Sequence, residues 1–215
     1  MTKPHRVTLP KLYAILDADL LSRRNISLET FSRDLYAAGI RCMQYRDKAA
    51  PSAKLLAAAR MLRASLPDDV LLFLNDRADI CALSNCAGLH IGQEDLSPAG
   101  ARRVIGTGPL LGISTHNESQ IAIANEADVD YIAIGPVFAT TSKANPDPVI
   151  GLEGVRRARR LTSKPLVAIG GITQSNARSV IEAGADSIAV ISALVPNDQN
   201  GSTHKLAEDF LNFFL

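Results

Sequence analysis

The chain has 215 residues, 47% of them apolar and 21% charged, with a formal net charge of +1. That is one large domain or two small ones with ample core, and it excludes the global basic field of a nucleic-acid binder, so any cation cluster must be local. No apolar run reaches the roughly 18 residues of a membrane span, and the opening MTKPHRVTLP has no apolar signal core, which together predict a cytoplasmic protein.

Taken in chain order, β-rich apolar runs recur: LYAILD (12–17), IRCMQY (40–45), VLLFL (70–74), GLHIG (88–92), LLGIS (110–114), DYIAIG (130–135), PLVAIG (165–170) and DSIAVIS (186–192). Between them lie helical compositions such as SAKLLAAARMLRASL, SPAGARRVI, NESQIAIANEA, LEGVRRARRL and TQSNARSVIEA. Near-continuous apolar strands alternating with helices predict a parallel sheet covered by helices. Eight such units in about 200 residues predict a single-domain (β/α)8 TIM barrel over residues 1–215, with 1–10 as an N-terminal extension. A doubly wound open sheet is the rival, but it rarely uses eight units. Ala38-Gly39, Ala87-Gly88 and Ala183-Gly184 each read as a helix closing on a C′ glycine. The segment 197–205, NDQNGSTHK, reads as a turn-rich connection to a last helix.

Cys42, Cys81 and Cys86 are an odd number of thiols in apolar surroundings without CxxC spacing. They read as buried, reduced core residues rather than disulfides or a zinc site. No GxGxxG follows the first strand, no GxSxG occurs, and His90 and His116 stand apart without HExxH spacing, so neither histidine receives a role. Trp is absent and aromatics are few, so no base-stacking platform is evident.

In such barrels the active site lies where the strands end. The second strand ends in Gln44-Tyr45-Arg46-Asp47-Lys48, and alternation places Gln44, Arg46 and Lys48 on one face. Arg46, Lys48 and Lys143 are three rim cations suited to phosphate oxygens. Asp76 and Asp95 end neighbouring strands and suit Mg2+ shared with phosphate; salt bridges to Arg77 or Arg46 are their other use. Gly170-Gly171 and the strand leading to Ser192 occupy the positions where these barrels hold a phosphate, although a diglycine also serves as a plain tight turn. The polar, proline-rich stretch 140–150, TTSKANPDPVI, carries Lys143 and reads as a lid or as a static ordered loop.

With these motifs in order, the chain resembles the thiamine-phosphate synthase family. The resemblance rests on QYRDK for QxRxK, Asn75-Asp76 for ND, HIGQED for HxGQxD, and GIS for GxS. It continues through GPVFATTSK for GPxFxTxTK, GLEG at 151–154 and GGI at 170–172, so it spans nearly the whole chain. Two departures are Ser142 where the family usually has Thr, which keeps the hydroxyl, and ILD where ITD is usual. The resemblance implies a transferase that joins 4-amino-2-methyl-5-hydroxymethylpyrimidine diphosphate to a 4-methyl-5-hydroxyethylthiazole phosphate, giving thiamine phosphate and diphosphate. It also implies a dissociative mechanism through a pyrimidine carbocation.

Carried over residue by residue, Gln44, Tyr45, Arg46, Asp47, Lys48, Asn75, Ser114 and Lys143 would hold the pyrimidine diphosphate. Arg46, Lys48, Lys143 and Ser114 would act catalytically on its departure. Asp76 and Asp95 would ligate Mg2+. Thr140, Thr141, Ser142, Gly171, Ile191 and Ser192 would bind the thiazole phosphate. The partners expected are these two small molecules, with no nucleic acid or membrane; a homo-oligomer stays open. A thiazole tautomerase-like isomerase on the same barrel and a non-catalytic phosphate-ligand-binding paralogue are the alternatives.

Overall fold

Eight strands and their crossover helices close on themselves in the computed structural model, which describes residues 8–140, 147–197 and 201–214. In chain order these are β1 (Leu12–Asp17), α1 (Ala18–Arg23), α2 (Leu28–Ala37), β2 (Cys42–Arg46), α3 (Ser52–Ser65), β3 (Leu71–Asn75), α4 (Ala78–Ser84) and β4 (Gly88–Ile91). There follow α5 (Pro98–Ile105), β5 (Leu110–Thr115), α6 (Glu118–Glu126), β6 (Tyr131–Ile134), α7 (Gly151–Leu161) and β7 (Leu166–Ile169). The series ends with α8 (Gln174–Glu182), β8 (Ser187–Val190), a 3-10 turn at Ser192–Leu194, and α9 (Thr203–Asn212). Each strand pairs in parallel with the next, and β1 pairs with β8, so the sheet has no edge. The expected TIM barrel is the observed fold. Among the described residues no helix is long and apolar enough to cross a membrane.

Strand parity decides what lies inside. On β1, Tyr13, Ile15 and Asp17 face the barrel interior, while Leu12, Ala14 and Leu16 pack outward against the helices. The register pairs Ile15 with Gln44 and Asp17 with Arg46, then Asn75 with His90. It also pairs Ser114 with Ala133, which carries the inward set around the barrel. The lower interior is filled by three rings: Tyr13 and Phe73 lie 5.3 Å apart, and Phe73 meets Tyr131 edge-on at 5.6 Å. Burying each ring contributes about 2–3 kcal/mol.

Such rings fit only because small residues oppose them. A Cβ on Gly88 would fall within 3.0 Å of Phe73, and one on Gly112 within 3.0 Å of Tyr131. This corrects one expectation from the sequence. Gly39 and Gly184 do follow helix C-caps at φ of 104° and 112°, but Gly88 opens β4, and α4 closes on left-handed Asn85 instead. Gly88 is small to admit Phe73, not to end a helix. Within the N-terminal extension, Leu9 is buried and joins the interior cluster at the foot of the barrel.

Candidate active site

Above the aromatic layer the interior turns polar, because the next inward positions are Gln44, Asn75, His90 and Ser114 and then Asp17 and Arg46. These side chains open onto a cavity of about 440 Å³ at the C-terminal ends of the strands. Gln44, Arg46, Asn75 and Ser114 line one side. Thr140, Gly170, Gly171, Ile191 and Ser192 line the other, with the hydroxyls of Tyr13 and Tyr131 at the floor.

Arg46 is fixed before any ligand arrives. It forms an ion pair with Asp17, and the two side chains are only 19% and 8% exposed. Asp17 also caps α1, accepting a hydrogen bond from the Leu20 N–H at 3.0 Å. Sequence reasoning left Asp17 out; its inward parity was the available signal, and its register opposite Arg46 emerges only when the barrel closes. Lys48 follows another path: it is more than half exposed and reaches Asp76 at 3.2 Å, outside the cavity lining. Tyr45 has outward parity and is buried in the layer between sheet and helices. Its hydroxyl donates to Asp47 at 3.4 Å, while the other Asp47 oxygen accepts from the Ala49 and Ala50 N–H groups. The structure therefore brings neither the Tyr45 nor the Asp47 side chain to the cavity. Thr141, Ser142 and Lys143 lie outside the described residues.

The carboxylates Asp76 and Asp95 do come together, in a shallow depression beside the mouth that Arg77, Asp79 and Glu94 also border. Burial, first, and then the facing Asp95 carboxyl raise the Asp76 pKa; Lys48 opposes the shift. Asp95 is oriented by the Gly92 N–H at 2.7 Å. Neither acid is taken by the arginines considered from the sequence, since Arg77 pairs with Asp79 at 2.6 Å and Arg46 with Asp17. Among the described residues no group of three or more His, Cys, Asp or Glu converges as a complete metal cage. Two facing hard-oxygen donors do fit a Mg2+ whose remaining ligands are water and phosphate oxygens.

On the opposite side the loops after β6 and β7 touch through their backbones. The Val137 and Phe138 N–H groups donate to Ile169 and Gly170 carbonyls at 2.9 and 3.0 Å. Gly171 sits at φ 62°, and a Cβ there would fall within 3.0 Å of the Phe138 side chain. Only glycine gives both the left-handed backbone and that approach. α8 then begins behind Thr173, whose capping box with Asn176 fixes the turn.

The feature sequence reasoning missed is a chain of buried hydrogen bonds across the barrel. Gln44 Nε2 donates to Tyr13 Oη at 2.9 Å, and Tyr13 Oη lies 3.2 Å from Tyr131 Oη. Tyr131 Oη lies 2.8 Å from His90 Nδ1, and His90 Nε2 lies 2.8 Å from Ser114 Oγ. His116 also lines the cavity; its Nδ1–H donates to the Gly135 carbonyl at 2.6 Å, and its Nε2 faces Asp147 at 3.4 Å.

A closed parallel barrel with a held arginine and paired carboxylates on one side of its mouth, and a diglycine turn on the other, is a TIM barrel whose mouth has the chemistry to suit phosphorylated ligands. A family model described as thiamine monophosphate synthase matches residues 12–194, and the chain belongs to that family. It is 54% identical over 189 residues to the thiamine-phosphate synthase of Koribacter versatilis, covering 87% of this chain and 90% of that relative. The thiamine-phosphate synthase of Chloroflexus aurantiacus is 42% identical, with 87% and 86% covered. Among solved structures, a thiamine phosphate pyrophosphorylase from Pyrococcus furiosus superposes with a TM-score of 0.83 at 31% identity, covering 94% of each chain.

Proposed function

We propose that the cavity joins a 4-aminopyrimidine methyl diphosphate to a thiazole phosphate, releasing diphosphate and forming thiamine phosphate. As a member of its family the chain is a transferase of thiamine biosynthesis. The observation that carries the assignment to this cavity is its two-ended mouth: Arg46 and the facing pair Asp76 and Asp95 toward one end, and Gly171 with Ser192 at the other. A molecule bearing a diphosphate and a second bearing a monophosphate can enter with their rings between those ends.

In the reaction the C–O bond between the pyrimidine methylene and the diphosphate breaks, and its electron pair leaves with the diphosphate. The electron-rich ring carries the resulting cation. The thiazole nitrogen then supplies the pair for the new C–N bond, so neither step demands a proton from the protein. The protein's work is to stabilise charge on the leaving group and to hold the rings in contact. Arg46 is aimed for the first task by Asp17, and the cations Lys48 and Lys143 assist in it. Gln44, Asn75 and Ser114 orient the pyrimidine, while Thr140, Thr141, Ser142, Gly171, Ile191 and Ser192 receive the thiazole phosphate. Asp76 and Asp95 would hold Mg2+, which would supply charge neutralisation on the diphosphate. The apolar walls Ile15, Val167 and Ile169 line the same cavity and exclude water that would otherwise capture the cation. We place the protein in the cytoplasm, where its three free, buried cysteines suit a reducing milieu.

The test is to mix both phosphorylated substrates with Mg2+ and quantify products. Thiamine phosphate and diphosphate formed one to one support the reading. Isomerisation of a thiazole without condensation would instead support the tautomerase, and ligand binding with no turnover would leave only a binding paralogue.

A further inference from the structure

The buried chain from Gln44 to Ser114 runs through five strands and uses four side chains whose hydroxyl or ring atoms can each point two ways. Its direction can be worked out by counting hydrogens. Each phenol owns one O–H and a neutral imidazole owns one N–H. Tyr13 accepts from the Gln44 amide, so its own hydrogen must go to Tyr131. Tyr131 then donates to His90 Nδ1, which leaves the ring proton on Nε2, and that proton goes to Ser114 Oγ. Ser114's hydrogen is the one left over, and it points to whatever occupies the cavity.

The reverse direction requires the Gln44 amide to turn over, so that its Oε1 accepts from the Tyr13 hydroxyl. With the Gln44 nitrogen donating to that hydroxyl instead, a donation from Tyr131 as well would strand the Tyr13 hydrogen in a site where the residue is 1% exposed and Tyr131 0%. A stranded buried donor costs about 1–3 kcal/mol. Among the described residues no buried side-chain nitrogen or oxygen lacks a hydrogen-bond partner.

We infer that Tyr13, Tyr131 and His90 are positioning residues, a one-way hydrogen-bond relay that fixes the Gln44 amide and sets Ser114 as a donor into the cavity. The relay presents Ser114 to an acceptor atom, a ring nitrogen or a phosphate oxygen, and leaves Gln44 Oε1 to accept from an amino group. His90 works as a neutral link between Tyr131 and Ser114. This deepens the proposed function and rests on it for the identity of the ligand, but the polarity is a property of the ligand-free protein.

The experiment labels the histidines of the full chain with 15N and reads the two ring nitrogens of each by long-range proton–nitrogen correlation. With four histidines in the chain, His90 is assigned by the signal that His90→Gln removes. The relay predicts a neutral ring protonated at Nε2, with Nδ1 accepting. A ring protonated at Nδ1, or a charged imidazolium at neutral pH, overturns it. Tyr131→Phe should then move the Nδ1 resonance and lower kcat/KM about tenfold to a hundredfold with the far-ultraviolet spectrum unchanged. An unmoved His90 signal or an unchanged kcat/KM in a folded Tyr131→Phe protein also overturns the relay. Should that variant not fold, the wild-type tautomer decides alone. Because the spectrum needs no substrate, a failed synthase assay and a failed relay are separate results.

Discussion

Replacing Asp76 with Asn removes one charge from two facing carboxylates while keeping the side chain's shape. Asp76 sits at φ 63°, a left-handed conformation that Asn adopts readily, so the backbone gains no strain. Two like charges about 4 Å apart repel by about 1 kcal/mol even under water-like screening. Against that relief stands the lost pair with Lys48, whose side chain is 59% exposed, worth about 0.5 kcal/mol. The metal-free Asp76→Asn protein should therefore be more stable at neutral pH by about 0.5 kcal/mol, a rise in Tm of about 1–2 °C for a chain of this size.

The pH dependence follows from the direction of the shift. A carboxyl whose pKa is raised on folding makes the native state bind more protons than the unfolded one. Wild-type stability then falls as pH rises from the ordinary carboxylate value of 3.8 through the raised one, and the variant lacks that fall. The gain should accordingly vanish in acid and be largest near pH 7. Adding Mg2+ with inorganic diphosphate should reverse the order, because saturating ligand at a hundred times Kd stabilises the wild type by about 2.7 kcal/mol and the variant hardly at all. Melting curves by circular dichroism at acid and neutral pH, with and without both ions, supply all these numbers. A variant that melts lower than wild type without metal, or gains as much from Mg2+ and diphosphate, would refute the carboxylate-pair reasoning.

Arg46→Ala should lower kcat/KM about 10²- to 10³-fold in steady-state assays without altering the fold, since the guanidinium acts on the departing charge; a loss under threefold would remove it from that role. Gly112→Ala forces a Cβ against the Tyr131 ring and should destabilise by about 1–3 kcal/mol, read as a lowered urea midpoint at constant slope. All three thiols are buried, and burial pushes Cys81 up to about 12, so a thiol-reactive dye at pH 8 should label the native protein only after unfolding. Rapid labelling of the folded protein would contradict the packing described.

Much of the barrel is written in single-strand patterns. Parallel strands covered on both sides become uninterrupted apolar runs, and period-two alternation alone turned Gln44 and Arg46 inward. What the pattern could not carry depends on closure. Asp17 meets Arg46 only because β1 and β2 share a particular register, and Asp17 reads in the sequence as the polar end of an apolar strand. Tyr13 and Tyr131 sit 118 positions apart inside runs that look like plain core, yet their hydroxyls meet across the barrel. Lys48 shares parity with Arg46, but beyond the strand end the chain bends and Asp76 claims it. Gly88 carried the same Ala-Gly signature as two helix-closing glycines, and only the Phe73 ring, contributed by a neighbouring strand, distinguishes it. The chemistry of the substrates came from the ordered family motifs, not from any of these patterns.

A crystal structure with Mg2+, inorganic diphosphate and the thiazole phosphate tests most directly whether the mouth has two anion-binding ends. The predicted result is a cation between Asp76 and Asp95 sharing diphosphate oxygens, Arg46 on the same diphosphate, and the monophosphate at Gly171 and Ser192. Diphosphate bound at the diglycine end, or a cation held away from both aspartates, would contradict it.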